Sequence, residues 1–274
     1  MKTRIVFITF FLVSLFSITT QAQEDQKCDT LKLRVMTYNL RFGELASLEE
    51  LAYHIKSFKP DLVALQEVDS KTNRDRAPHQ NGKDFITELA YHTQMFPLYG
   101  KTIDYSGGYY GIGILSRFPY IKSEKHLLPR PLKKEQRAVL IADIEVSDKD
   151  TITFASTHLD FFSADTQVLQ LQEVLRRLNQ SPFPKIVGGD FNAKPHSKAI
   201  TEVINHWIPL TDDESTFAAN GAPTSTTEKL SNKIDYLFAD PDHNWKLIRT
   251  QAIYSTLSDH LPIVSDVELI RKRK

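Results

Sequence analysis

The sequence predicts a mixed α/β domain whose β-sheets are covered on both faces. Short β-rich apolar runs alternate along the chain with segments of helical period. The run Leu62-Val63-Ala64-Leu65 is apolar at every position, as a strand must be when neither of its faces meets water. Asp148-Lys149-Asp150 separates two further β-rich runs in the manner of a tight antiparallel hairpin.

The elements follow in order. Leu31 to Tyr38 reads as a strand, and Ser47 to Phe58 as a helix with Leu48, Leu51, Ala52, Ile55 and Phe58 on one stripe. Ser47 and Glu50 have the spacing of a capping box, and Pro60 stops that helix. Leu62 to Leu65 is a strand and Phe85 to His92 a helix. Gly111 to Leu115, Ala138 to Val146 and Thr151 to Ser156 are β-rich, the last two forming the hairpin. An amphipathic helix over Ala164 to Leu178, a strand at Lys185 to Val187 and a helix over Lys198 to Asn205 follow. Three late strands are centred near Tyr236, Ile248 and Val264.

The chain has 274 residues, 41% hydrophobic and 25% charged, with a single cysteine, which excludes disordered, collagenous and disulfide-scaffold classes. Lys2 and Arg4 precede a 14-residue run, Ile5 to Ile18, broken only by Thr9, Ser14 and Ser17, and Ala22 is a small residue suited to cleavage. Residues 1–22 therefore read as a secretory signal, too short for a span, and residues 23–274 as one domain of a secreted or periplasmic protein without a stable membrane span. The whole chain is neutral, and loss of Lys2 and Arg4 leaves it two charges to the acidic side. A domain that wraps nucleic acid usually carries a basic excess, so a nucleic-acid partner is possible but not favoured. Cys28 cannot form an internal bridge, and oligomeric state is not readable from the sequence.

Five apolar runs end in carboxylates, amides or imidazoles: Asn39, Glu67, His158, Asp190 with Asn192, and Asp259-His260. Singly, each is an ordinary turn former or structural histidine. Their recurrence at strand ends, where loops converge over rigid sheets, points to one site.

The segments Met36-Thr37-Tyr38-Asn39, Leu65-Gln66-Glu67-Val68, Gly111 to Arg117, Thr157-His158-Leu159-Asp160, Gly189-Asp190-Phe191-Asn192, Ile234-Asp235-Tyr236 and Ser258-Asp259-His260 occur in that order. Together they resemble the endonuclease/exonuclease/phosphatase superfamily of metal-dependent phosphoesterases. The resemblance implies a four-layer α/β sandwich, two mixed β-sheets packed face to face and flanked by helices. It further implies Mg²⁺ or Mn²⁺ held by Glu67 with Asn39 and Asp259, hard oxygen ligands suited to such a cation. Asp190 is then the group that orients and deprotonates water, Asn192 an amide donor to phosphate, and His260 an imidazole facing the scissile phosphate with Asp235 behind it. His158 donates to a non-bridging oxygen. Arg137 stands where related deoxyribonucleases offer an arginine to phosphate. The expected activity is hydrolysis of a small-molecule or lipid-derived phosphate mono- or diester. A secreted nuclease and a non-catalytic binding module are the alternatives. Phe161, Phe162, Tyr109, Tyr110, Arg76 and His79 are candidate cleft residues; Asp160 reads equally as an exposed loop carboxylate or a site residue, and Lys233, an anion binder or a solvated charge, is left unassigned.

Overall fold

A computed structural model describes residues 30–131, 134–218, 230 and 232–271. The expected signal, residues 1–22, and Cys28 lie outside the described residues. One six-stranded sheet contains β1 (Thr30–Asn39), β2 (Leu62–Ser70), β3 (Phe96–Tyr105), β4 (Gly108–Ser116), β11 (Trp245–Ala252) and β12 (Ile263–Ile270), in the order β11-β12-β1-β2-β4-β3. The other contains β5 (Tyr120–Leu127), β6 (Ala138–Ser147), β7 (Asp150–His158), β8 (Lys185–Asp190), the two-residue β9 (Ile208–Pro209) and β10 (Asp235–Ala239), in the order β5-β6-β7-β8-β10-β9. Helices α1 (Leu48–Ser57) and α2 (Phe85–Thr93) flank the first sheet, and α3 (Ala164–Leu178) and α4 (Lys198–Ile204) the second.

Three apolar clusters account for the layers. Leu62, Ala64, Ile114, Leu140, Phe154, Ile186 and Leu237 fill the space between the sheets. Leu51 and Ile55 of α1 and Leu89 of α2 pack on Met36, Val63 and Leu65 at the outer face of the first sheet. Leu171, Val174 and Leu178 of α3 and Ile200 and Val203 of α4 pack on Val187, Tyr236 and Phe238 at the outer face of the second. The all-apolar β2 segment thus sends Ala64 one way and Leu65 the other, each into a dry layer, as the sequence requires. The predicted capping box at Ser47 is present with both bonds made, a feature worth about 1 kcal/mol to α1.

Two connections decide where the site forms. β1 runs parallel to β2 through α1, and β7 runs parallel to β8 through α3, so Asn39 lies beside Gln66 and His158 lies directly opposite Asp190. Beneath those ends, the buried Gln66 reaches between the sheets: it donates to Ser156 Oγ at 3.3 Å and accepts from Thr37 Oγ1 at 3.4 Å. The sheets approach closely here because Gly188 has no side chain. A Cβ there would stand 2.7 Å from Leu237 Cδ2 and 3.1 Å from Ala64 Cβ, and one on Gly189 would stand 2.2 Å from the Thr157 carbonyl oxygen.

Strands β3 and β5 are additions to the sequence reading. β5 is an edge strand, exposed at nearly every position and rich in Lys and Glu, so it lacks the apolar alternation that marks a half-buried strand. Strand β2 continues five residues beyond the expected Leu65, because a bulge between Gln66 and Val68 absorbs Glu67 without ending the pairing to β4.

Candidate active site

The carboxyl ends of β1, β7 and β8, the bulge of β2, the start of β10 and the turn before β12 meet at one end of the sandwich. Glu67 sits at the β2 bulge with φ of 57°, a left-handed conformation uncommon for glutamate. Strict alternation along β2 would send its side chain into the α1–α2 layer with Leu65; the bulge re-aims it. Asn192, just beyond β8, is also left-handed, with φ of 49°. Strain of this kind persists only where surrounding structure holds it, and here it falls on two of the predicted site residues.

Asn39 joins the two sheets. Its amide nitrogen donates to Glu67 Oε1 at 3.3 Å and to Asp190 Oδ2 at 3.0 Å. Its oxygen accepts the Arg41 backbone N–H at 2.9 Å, so the backbone donor settles which end of the amide faces the carboxylates. Arg41 also bonds Asp259 and Glu44 through its guanidinium, and Ser258 Oγ donates to the Asn39 carbonyl at 2.8 Å. Asn39, Glu67 and Asp259 are therefore neighbours, as expected. The amide hydrogens of Asn39, however, point at the carboxylates, and its oxygen is engaged by Arg41.

Asp190 is the most heavily bonded carboxylate of the cluster. Oδ1 accepts the Asn192 N–H at 2.8 Å, while Oδ2 takes Asn39 and lies 3.4 Å from His158 Nε2 and 3.7 Å from His260 Nε2. Burial and the nearby charge of Asp235 push its pKa above the ordinary carboxylate range, although His260, Asn192 and Asn39 favour the charged form.

His260 Nδ1 bonds Asp235 Oδ2 at 2.9 Å, and Asp235 also accepts from Thr216 Oγ1 at 2.6 Å. The ring packs 4.7 Å from that of Phe217. Burial works against the imidazolium, but Asp235, Asp190 and Asp259 outweigh it and raise the His260 pKa to about 10. That upward shift favours the imidazolium, in which both ring nitrogens are donors. His158 is its opposite. Arg137 Nη1 lies 3.2 Å from His158 Nδ1, and because arginine only donates, that nitrogen accepts and Nε2 carries the hydrogen, 3.4 Å from Asp190 Oδ2. Burial and the positive charges of Arg137 and His260 hold its pKa well below the usual histidine value.

Arg137 is buried immediately before β6, ion-paired with Glu135 at 2.8 Å, and its Nε has no partner among the described residues. A buried guanidinium with a spare donor beside the cluster suits a phosphate oxygen. The Asn192 amide donates to the Leu159 carbonyl at 3.0 Å, which leaves one of its two hydrogens for another acceptor.

The residues fit a divalent cation. Among the described residues Glu67 makes one side-chain hydrogen bond, the 3.3 Å contact with Asn39, and burial together with the charge of Asp259 raises its pKa. A carboxylate short of compensating charge beside a second carboxylate is what a hard cation relieves. Asp190, Asp235 and His260 also place ligand-type atoms within 4.8 Å of one another. Within that trio His260 Nδ1 already bonds Asp235 Oδ2 at 2.9 Å, which commits one ring nitrogen.

The remaining candidates divide. Tyr110 is buried close enough to Glu67 and Arg137 for their charges to shift its hydroxyl, whereas Tyr109 is exposed beside Lys101. Arg76 is exposed and pairs with Glu44, and His79 lies on the surface. Phe161 and Phe162 are exposed with ring centroids 3.8 Å apart, Phe161 lying within 5.9 Å of the Arg137 guanidinium. Asp160 is buried, not an exposed loop carboxylate, because it accepts the Phe162 and Ser163 N–H groups ahead of α3. Arg41 and Thr216 escaped sequence reasoning. Arg41 follows Asn39 by two residues and could have been suspected, but nothing in the sequence ties Thr216 to Asp235 across 19 positions.

Buried acids, oriented imidazoles and a spare guanidinium gathered at the open end of two face-packed sheets define a metal-dependent phosphoric-ester hydrolase. The chain belongs to the Endonuclease/Exonuclease/phosphatase family, whose profile matches residues 36–260. Solved structures share the fold. A family member from Bacteroides thetaiotaomicron superposes with a TM-score of 0.71 at 17% identity, covering 88% of this chain and 98% of the other. The Bacteroides thetaiotaomicron mannosyl-6-phosphatase gives 0.68 at 17% identity, with 86% and 99% covered. ANGEL2, described as a 2′,3′-cyclic phosphatase, gives 0.61 at 15%, with 88% and 96% covered. Among the described residues no helix is long and apolar enough to cross a membrane.

Proposed function

We propose that residues 23–274 form an exported phosphoesterase, released by cleavage after Ala22 into a secreted or periplasmic setting, that hydrolyses a small phosphate ester with Mg²⁺. The carrying observation is that Asn39 bonds both Glu67 and Asp190, so the proposed cation-binding and water-activating groups meet at one amide. The neutral charge balance and the mannosyl-6-phosphatase among the structural relatives favour a small ester over a polynucleotide.

Glu67, with Asp259 beside it, would hold the cation, and Asn39 orients Glu67 through its amide nitrogen. When bound, the metal supplies neutralisation of the phosphate oxygens and of the leaving alkoxide. Asp190 orients the attacking water and takes its proton on the carboxylate, its raised pKa making it a better base near neutrality than an ordinary carboxylate. The His260 imidazolium donates from Nε2 to a phosphate oxygen while Asp235 fixes the ring through Nδ1. His158 donates from Nε2, and Arg137 and Asn192 offer their remaining N–H groups to non-bridging oxygens.

The test is release of inorganic phosphate from phenyl phosphate, with bis-nitrophenyl phosphate and plasmid DNA in parallel. Magnesium-dependent release of phosphate from the monoester supports the reading. Activity indifferent to EDTA, or confined to DNA, would sink it, and the DNA-only result would favour a secreted nuclease. Intact-mass measurement of the exported protein tests cleavage after Ala22.

A further inference from the structure

Tyr110 takes no part in the steps above. Strand β4 carries no bulge of its own, since the register shifts on its two sides fall in β2 and β3. Tyr110 therefore shares the face of Ile112 and Ile114, which fill the layer between the sheets. Ile112 meets Leu140 of β6 in that layer: a Cβ on Gly100 would stand 3.1 Å from the first and 3.3 Å from the second. Toward the open end from that contact, β4 reaches Tyr110, paired with Asp69 just past the Glu67 bulge, and β6 reaches Arg137. One side chain from each sheet thus stands at the same end of the layer, close enough for each to shift the ionisation of the other.

Both are buried donors in want of an acceptor. Tyr110 is 8% exposed and its hydroxyl makes no hydrogen bond among the described residues, while Arg137 is 3% exposed with its Nε unpartnered. Buried hydroxyl and guanidinium N–H groups ordinarily find partners. Burial and the charge of Glu67 hold the Tyr110 pKa well above the ordinary tyrosine value, against the pull of Arg137 and Arg74, so the hydroxyl keeps its hydrogen. The ring is also held in place. The Arg74 guanidinium lies 5.2 Å from its centroid and 4.2 Å from that of Tyr105, and two bonds to the fully buried Asp69, at 2.5 Å and 2.9 Å, fix that guanidinium. Lys233 is another buried donor without a partner among the described residues; it is not a solvated charge, but it lies against the Tyr236 ring on the outer face of the second sheet.

We propose that the Tyr110 hydroxyl and Arg137 Nε donate to one shared acceptor, a non-bridging oxygen of the phosphate under attack, which makes Tyr110 a catalytic residue. An anionic oxygen accepts several donors at once and so satisfies both. Charge that builds on it during attack is then met by a donor from each sheet. This contact rests on the phosphate-ester reading and adds to it a residue from the far side of the β2 bulge.

Tyr110→Phe removes the hydroxyl and keeps the ring that Arg74 packs on. Calorimetry measures binding of inorganic phosphate in the presence of Mg²⁺, alongside kcat/KM for phenyl phosphate. Both fall about 10–100-fold in Tyr110→Phe, the loss expected for a hydrogen bond to a charged group, with the unfolding midpoint unchanged. A shared acceptor also couples the two donors, so the phosphate affinity of the Tyr110→Phe, Arg137→Met double variant departs from the product of the two single losses. Phosphate affinity that Tyr110→Phe leaves intact would mean that the hydroxyl serves water alone, and would overturn the contact while hydrolysis stands. Losses that multiply would give the two donors separate oxygens and overturn the sharing. Phosphate binding that requires the hydroxyl, in a protein that hydrolyses no ester, would uphold the contact and defeat the catalytic reading. A wild type that binds no phosphate overturns both.

Discussion

Each sheet contains one parallel strand pair joined by an outer helix, and each pair presents site residues at its carboxyl end. From β1 and β2 come Asn39 and Glu67; from β7 and β8 come His158 and Asp190. The two ends differ in how completely their carboxylates are satisfied. Asp190 accepts two hydrogen bonds and faces two imidazoles, whereas Glu67 has the single long contact from Asn39. A saturated carboxylate is fixed in orientation and suited to handling a proton, while an under-compensated one retains lone pairs for a cation. Similar backbone plans therefore carry different chemistry because of what surrounds each acid.

The largest effect separating these halves is expected from Asp190→Asn. Turnover falls about 10²–10⁴-fold, the range for losing a general base, while Mg²⁺ affinity measured by calorimetry changes little. A variant that keeps its turnover would show that the base lies elsewhere. Glu67→Gln acts on the other half: the Mg²⁺ concentration for half-maximal rate rises about 10–100-fold, and excess metal restores much of the activity. If metal titration curves for Glu67→Gln and wild type coincide, the cation binds elsewhere, with the Asp190-Asp235-His260 trio the next candidate.

Asp235→Asn sharpens the assignment through pH. On the proposed mechanism Asp190 acts deprotonated and His260 protonated, so kcat/KM rises through an acid limb above the ordinary carboxylate range and falls through an alkaline limb near pH 10. Asp235 raises the pKa of both groups, so its neutralisation moves both limbs to lower pH in a measured rate profile. Limbs that stay in place would mean that another pair of groups controls the profile. The smallest expected effect is structural. Gly188→Ala forces a methyl group against Leu237 and Ala64 where the sheets meet, costing about 1–3 kcal/mol in denaturant unfolding. An unchanged midpoint would show that the sheets separate there at no cost.

Much of this arrangement was legible in the sequence because burial leaves a periodic trace. Helices α1 and α3 were readable within a residue of their ends, from apolar stripes and, for α1, a capping box; the β6–β7 hairpin followed from its polar turn. β5 left no trace, since a charged edge strand and a loop have similar composition. The site residues were recognisable as polar interruptions at strand ends, but their division of labour was not. Hydrogen-bond direction decides that the Asn39 nitrogen faces the acids, and Arg137 makes His158 neutral while Asp235 keeps its counterpart charged. Those are properties of neighbours distant in the chain, and no local pattern encodes them.

The planar amide of Asn39 is pinned at its oxygen and engaged by a carboxylate from each sheet. It works as a ruler whose graduations are covalent bond lengths. The acid that would anchor a cation and the acid that would activate water are thus bridged by one rigid side chain, and substrates of many shapes can be exchanged above it without resetting that gauge.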